Sequence, residues 1–147
     1  MAVQQLTGEE LSERVGAAVP DSVVASVDGV LFVEPAKIAD VAGFMKSDSR
    51  LDFNFLNSIS AVDYINHFEV VYHLTSMNNH HTAIVKTRLD GRDELTLPSV
   101  YHLWRGADFQ EREIWDLMGI SFSGHPNLKR IMLWEGFDGH PLRKDYL

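Results

Sequence analysis

The 147-residue chain contains no cysteine. That excludes disulfides, thiolate-held iron–sulfur clusters and Cys-type zinc sites. No apolar run approaches the roughly 20 residues needed to span a bilayer, so membrane association is expected only through partners. Base is scarce. The chain has 13 Lys and Arg against 21 Asp and Glu, a net charge of −8, whereas a nucleic-acid binder ordinarily shows a basic face. The opening stretch MAVQQLTGEELSERV has neither a basic n-region nor an apolar h-region, so no secretory signal is expected there. No G-x-G-x-x-G follows a strand pattern, which removes the dinucleotide fingerprint. The rest of the composition, 45% hydrophobic and 23% charged, is that of a globular domain.

The elements follow from pattern. Thr7 with Glu10 three residues on predicts a capped helix, with Leu6, Leu11, Val15 and Ala18 as its apolar stripe and Pro20-Asp21 as its stop. Two β-branched runs, 22–27 and 30–34, flank Asp28-Gly29, a two-residue hairpin signal. Pro35 opens a second helix over 35–46, with Ile38, Val41, Ala42 and Met45 facing a sheet. Residues 51–62 predict a strand with an irregular start. Strands 68–76 and 81–89 pair across a turn at Asn78-Asn79-His80, where His80 and His81 are expected to be solvated. A third helical segment is expected over 100–104. The last helix is expected to begin at an Asp108–Glu111 capping box and to end at Gly119 in a left-handed cap. Blocks of strands without strict alternation predict a small two-layer α+β domain, helix–two strands–helix–three strands–helix, with helices on one side of the sheet. The division expected is a core over 1–106 and a signature helix plus extended C-terminal arm over 107–147.

The final quarter is the unusual part. Gly124-His125-Pro126 and Gly139-His140-Pro141 are near-repeats, and each is followed by a basic pair, Lys129-Arg130 and Arg143-Lys144. Residues 111–147 hold six acids and five bases, so most of the negative charge lies upstream. An arm with little regular structure buries too little apolar area alone to offset its ordering entropy. It therefore needs a surface to lie on.

Its residues are open to more than one reading. Glu111, Arg112, Glu113 and Asp116 form either a catalytic carboxylate cluster or ordinary pairs, with Arg112 and Asp116 at i, i+4. His125 and His140, with Asp138 or Asp145, offer metal-donor types, but without tight ligand spacing and each before a proline. The basic pairs fall short of a lipid-binding cluster. Salt bridges to an acidic partner surface are expected instead, with Arg143 as a buried anchor at that contact and little buried in the free chain. Trp115, Leu128, Ile131, Leu133, Trp134 and Phe137 serve as core or as interface anchors.

The run E-R-E-x-x-D-L-x-G-I, then G-H-P-x-L-x-R-I, then G-x-P-L-R-K-D-Y resembles the thirty-kilodalton subunit family of respiratory complex I. This is the C subunit of the bacterial proton-pumping NADH:quinone oxidoreductase and the J subunit of photosynthetic relatives. The match is dense from 107 to 146 and looser before residue 100. The resemblance implies a cofactor-free subunit of the peripheral arm on the cytoplasmic face of the membrane. It would hold the quinone-reducing module together, packed on the forty-nine-kilodalton-type quinone-site subunit near the adjacent iron–sulfur subunit. FMN, iron–sulfur clusters and quinone are then expected in the partner subunits, with no nucleic acid. On this reading Glu111, Arg112, Glu113, Asp116, His125, Lys129, Arg130, Trp134, His140, Arg143, Lys144, Asp145 and Tyr146 are partner-binding and the chain alone is non-catalytic. Many bacterial relatives continue beyond the Asp-Tyr pair. That leaves a ferredoxin- or hydrogenase-linked complex as an alternative, beside a stand-alone metalloenzyme using His125, His140 and Asp145.

Overall fold

The computed structural model describes residues 4–134 and 136–146; Met1–Val3 of the N-terminal stretch and the terminal Leu147 lie outside the described residues. In chain order the elements are β1 (Gln4–Gln5), α1 (Gly8–Ala18), β2 (Val23–Val27), β3 (Val30–Val33), α2 (Ile38–Ser47), β4 (Phe55–Asp63), β5 (His67–Ser76), β6 (His81–Asp90), β7 (Thr96–Pro98), α3 (Ala107–Met118) and β8 (Ser121–Ser123). The Thr7 hydroxyl caps α1 by accepting the Glu10 N–H at 3.2 Å. Leu11 and Val15 carry that helix's buried stripe, while Ala18 lies outside it. Asp28 and Gly29 have φ of 51° and 79°, the paired positive values that a tight hairpin between twisted strands requires. Pro35 begins a 3-10 turn, Pro35–Lys37, that runs into α2. Ile38, Val41, Ala42 and Met45 all point into the core.

The main sheet runs β2-β3-β6-β5-β4, with β1 beside the start of β6. Most neighbours are antiparallel, but β3 lies parallel to β6. Register explains the two layers. Ile59, Tyr72, Val85 and Leu31 stand side by side across four strands, and all are buried. The next row, Ser60, Val71, Lys86 and Phe32, points to the opposite face. Helix α2 covers the first face, and each fully buried aliphatic or aromatic side chain there stabilises the fold by about 1.5–3 kcal/mol. β4 is an edge strand with a register shift between Leu56 and Ser58. Helix α3 lies along it and covers part of that edge, where the Gln110 side-chain carbonyl accepts the free N–H of Ile59.

Three local expectations are corrected. Residues 100–104 form one turn rather than a helix. The N–H groups of Leu103 and Trp104 both reach the Val100 carbonyl at 3.0 Å, and Gly106 follows after Arg105. The turn places Trp104 in the core, its indole N–H on the Phe53 carbonyl at 3.2 Å. His81 is buried, with Nε2 2.6 Å from the Leu51 carbonyl and its ring 4.8 Å from Phe53, because the alternation of β6 turns it inward. The core also reaches past residue 106. β7 and β8 pair in parallel, strands of three residues too short to show a period, and Ala107, Ile114, Met118, Ile120 and Phe122 belong to the one hydrophobic cluster. Regular structure stops at Ser123, so the arm proper begins at Gly124.

A chain ending at Ser123 is expected to keep a cooperative urea transition and the far-ultraviolet dichroism of the sheet. A chain ending at Gly119 loses β8 with Ile120 and Phe122, at about 3–5 kcal/mol for the large side chain alone, and is expected to unfold broadly. Equal stability of the two truncations would contradict the placement of β8 in the core.

Candidate interaction surface

Helix α3 sorts its charges by face. Ala107, Glu111, Ile114 and Met118 recur at helical spacing and are buried. Glu111 is thus driven inward with the apolar stripe. Its Oε1 accepts the Ser99 hydroxyl at 2.6 Å and its Oε2 accepts the Val100 N–H at 3.0 Å. Burial pushes its carboxyl above the ordinary glutamate range, against those two hydrogen bonds. The expected Asp108–Glu111 capping box does not form. The turn closed by the Ala107 N–H on the Trp104 carbonyl starts the helix earlier, with Gly106 as N-cap. Asp108 Oδ1 instead sits 3.0 Å from Nε2 of His125, whose side chain is fully buried. Nδ1 of that ring accepts the Asn127 N–H at 3.0 Å; the Asp108–His125 pair is close but not aligned for a hydrogen bond, and neither atom has another partner among the described residues.

Asp116, in the last turn of α3, organises the arm. It is fully buried. Oδ2 accepts three successive backbone N–H groups, from Ile131, Met132 and Leu133, at 3.1, 2.7 and 2.9 Å. Oδ1 accepts Arg130 Nη1 at 2.6 Å, and the same nitrogen reaches the Asp116 carbonyl at 3.0 Å. Arg130 Nη2 continues to the carbonyls of Phe137 and Gly139 at 2.7 and 2.8 Å. Burial raises the Asp116 pKa, but Arg130 and the three N–H groups outweigh it and hold the carboxyl below the usual aspartate range. His140 Nδ1 donates to the Asp116 carbonyl at 2.9 Å, its ring 5.0 Å from Trp115. Gly119 is required twice over. Its φ is 79°, and a Cβ there would lie 2.8 Å from the His140 ring.

The end of the arm is clamped to the sheet. Arg92 grips buried Asp63 with both terminal nitrogens, at 2.5 and 2.8 Å, and reaches Asp145 at 3.0 Å. Arg143 bonds Asp145 at 3.1 Å and donates to the Arg92 carbonyl at 2.5 Å. The Lys144 N–H donates to Asp63 at 2.8 Å. Both guanidinium groups lie over the Phe68 ring, 4.6 and 5.3 Å from its centre. Hydrogen bonding to Arg92 holds the Asp63 carboxyl well below its ordinary range despite burial.

These contacts correct several readings. The Arg112–Asp116 pair does not form, because Asp116 is taken by Arg130 while Arg112 donates to the carbonyls of Lys129 and Arg130 at 3.1 and 3.2 Å. Arg130 and Arg143 are not held free for an acidic partner. Arg143 is only 15% exposed in the chain by itself; Lys129 and Lys144 are the exposed members of each pair. His125, His140 and Asp145, the metal-donor alternative, are engaged in three separate networks. Among the described residues no group of three or more His, Asp or Glu is placed to hold a metal. The structure leaves Glu113 pointing to solvent, and Trp134 and Tyr146 are 68% and 40% exposed. Asp63, Phe68, Arg92 and Ser99 were missed in the sequence. Each lies in a strand, turn or loop with no pattern of its own, and their partners are 12 to 81 residues away.

The shifted carboxyls give opposite pH dependences. Asp116 and Asp63 have lowered folded-state values, so their stabilisation is fully present above about pH 4 and is lost as pH falls through those values. Glu111 has a raised value, so its ionisation penalty is relieved as pH falls toward about 4.3. In urea midpoints measured from neutral to acid pH, Asp116→Asn is expected to flatten the acid limb and to cost about 3 kcal/mol or more at neutrality, since Arg130 is left unpaired. Glu111→Gln is expected to flatten the limb above it. Unchanged profiles in both variants would contradict the two networks.

The family model described as respiratory-chain NADH dehydrogenase, 30 Kd subunit, matches residues 31–147, which includes β3 through the arm. The C subunit of the NADH-quinone oxidoreductase of Roseiflexus sp. (strain RS-1) is 44% identical over 140 residues, covering 90% of this chain and 80% of that protein. The protein of the same name from Chelativorans sp. (strain BNC1) is 43% identical over 148 residues, covering 99% and 72%. Among solved structures, a chain of the membrane-bound sulfane sulfur reductase, an archaeal respiratory membrane complex, matches with a TM-score of 0.69 at 32% identity, covering 95% of this chain and 85% of that one. With the family model spanning most of the sheet, α3 and the arm, this chain belongs to the 30 Kd subunit family of the respiratory-chain NADH dehydrogenase.

Proposed function

We propose that the chain is a cofactor-free subunit of the peripheral arm of a proton-translocating NADH:quinone oxidoreductase. In this reading it holds the quinone-reducing module in register and contributes no redox chemistry. The forty-nine-kilodalton-type quinone-site subunit is its main partner, with the iron–sulfur subunit alongside; FMN, clusters and quinone belong to other subunits. It meets the cytoplasmic face of the membrane through these partners; no helix among the described residues is long and apolar enough to cross one.

The observation that carries the reading is the arm. Residues 124–134 and 136–146 have no regular structure, yet they are ordered on α3 and the sheet by two charged networks. That arrangement presents Met132, Trp134, Leu142 and Tyr146 to solvent. An ordered, irregular segment with exposed large side chains suits binding, because its ordering cost is met before the partner arrives. A second reading, a related complex with another electron donor, draws on the structural match to the sulfane sulfur reductase complex. The higher identity to NADH-quinone oxidoreductase subunits supports the first.

The test is incorporation. The chain ending at Ser123 is expected to fold but to be absent from the affinity-purified membrane complex, and the isolated full chain to oxidise no NADH. NADH oxidation by the isolated chain would overturn the assembly role. Arg143→Ala is expected to weaken both the free chain and its incorporation, since it opens the clamp at Asp63. Lys144→Ala, whose backbone alone makes the contact, is expected to change each by under about 1 kcal/mol. Equal effects in the two variants would remove Arg143 as the pin of the arm's end.

A further inference from the structure

The arm also forms the wall of an open cleft of about 790 Å³. Trp134, Phe137 and Tyr146 line it. Trp134 meets Phe137 edge-on with centroids 5.9 Å apart, and Phe137 stacks on Tyr146 at 6.5 Å. Gly139 lets the last ring close in, because a Cβ there would lie 2.7 Å from Tyr146. The charged lining is Asp93, Asp138, Asp145 and Arg143, with His140 beside them. Asp145 is matched: with Asp63, Arg92 and Arg143 it makes a quartet of two acids and two bases. Asp93 and Asp138 are exposed and make no ion pair with a described residue. The cleft is therefore aromatic with two uncompensated carboxylates.

We infer that this cleft receives an arginine side chain presented by a neighbouring subunit of the complex. The inference rests on the assembly reading and reverses the sign of charge that the basic pairs of the arm suggest. Those arginines are spent inside the chain, on Asp116 and Asp145. What the cleft offers outward is ring faces and negative charge. A guanidinium is planar, weakly hydrated and stacks on aromatic faces while bonding carboxylates in a fork. The same chain already makes this pairing three times, with Arg130 5.6 Å from the Phe137 centre and with Arg92 and Arg143 over Phe68. Arg130 and Arg92 do not line the cleft, and Arg143, which does, is turned onto Phe68 and Asp145. An acidic partner surface would meet like charge here, and an apolar one would leave Asp93 and Asp138 desolvated without a partner.

The experiment measures retention of the full chain in the affinity-purified complex across a salt series, with wild-type retention as the control for the assembly reading. Trp134→Ala and the double variant Asp93→Asn, Asp138→Asn are expected to be retained roughly threefold to tenfold less at low salt. The double variant should also lose most of the salt dependence of the wild type. Trp134→Phe should recover part of the loss, and Glu13→Gln, an exposed acid on α1, should behave as wild type. All the substituted side chains are exposed, and circular dichroism of each free chain checks that it folds. Tighter retention of the double variant would mean an acidic occupant. Loss on Trp134→Ala with no effect of charge or salt would mean an apolar one. Either result overturns the proposal, whereas failure of the wild-type chain to be retained would overturn the assembly reading itself.

Discussion

A carboxylate fully enclosed by protein costs several kcal/mol to dehydrate unless charge and hydrogen bonds surround it. Asp116 meets that condition only through the arm. Its own helix opposes it, because the C-terminal turn already carries the negative end of the helix dipole, and that turn has no basic residue of its own. Arg130 and His140 supply what the turn lacks, touching both the side chain and the main-chain carbonyl of Asp116. The backbone at Ile131, Met132 and Leu133 completes the enclosure. Because one group binds four donors from a single segment, partial docking of the arm strands the charge. The arm is therefore held as a unit.

The sheet gives this unit a fixed base. α3 lies against β4, with Ile114 and Met118 in the shared core, so the position of Asp116 is set by apolar packing remote from the charge. At the other end, Asp63 closes β4 and receives Arg92 from the turn after β6 and the Lys144 N–H from the arm. The arm is thus tied near its start to α3 and at its end to the close of β4 and the turn after β6. The stretch between the ties displays Trp134. Such pre-organisation lowers the entropy that a partner contact must overcome.

The parts legible in the sequence were those set by local chemistry. Thr7 with Glu10, Asp28-Gly29, Pro35 and Gly119 each mark a boundary that the chain obeys, since caps and tight turns depend on a few adjacent residues. The stripe Ile38, Val41, Ala42 and Met45 likewise follows from helical period alone. The importance of residues 111–146 was legible, but not who pairs with whom. Asp116 has an arginine four residues back and takes another fourteen residues ahead; helix geometry permits the first, and only the folded path of the arm creates the second. Local spacing alone makes Glu111 a cap candidate, whereas its burial depends on where Ser99 and Val100 arrive. β7 and β8 fell below the length at which alternation is visible. The core consequently runs on, through Ile120 and Phe122, past the point where periodicity marks its end.

The central claim is that the arm is ordered on its own chain by Asp116 before any partner binds. Amide hydrogen exchange of Ile131, Met132 and Leu133 in the isolated protein tests it most directly. These three N–H groups lie in a segment without secondary structure, and their acceptor is one buried carboxylate. If Asp116 organises the arm, they exchange only through opening of the arm as a unit, with the same opening free energy for all three, and far more slowly than unstructured amides. Exchange at rates typical of a disordered segment, or at three unrelated rates, would show that the arm orders only on its partner and would contradict the account.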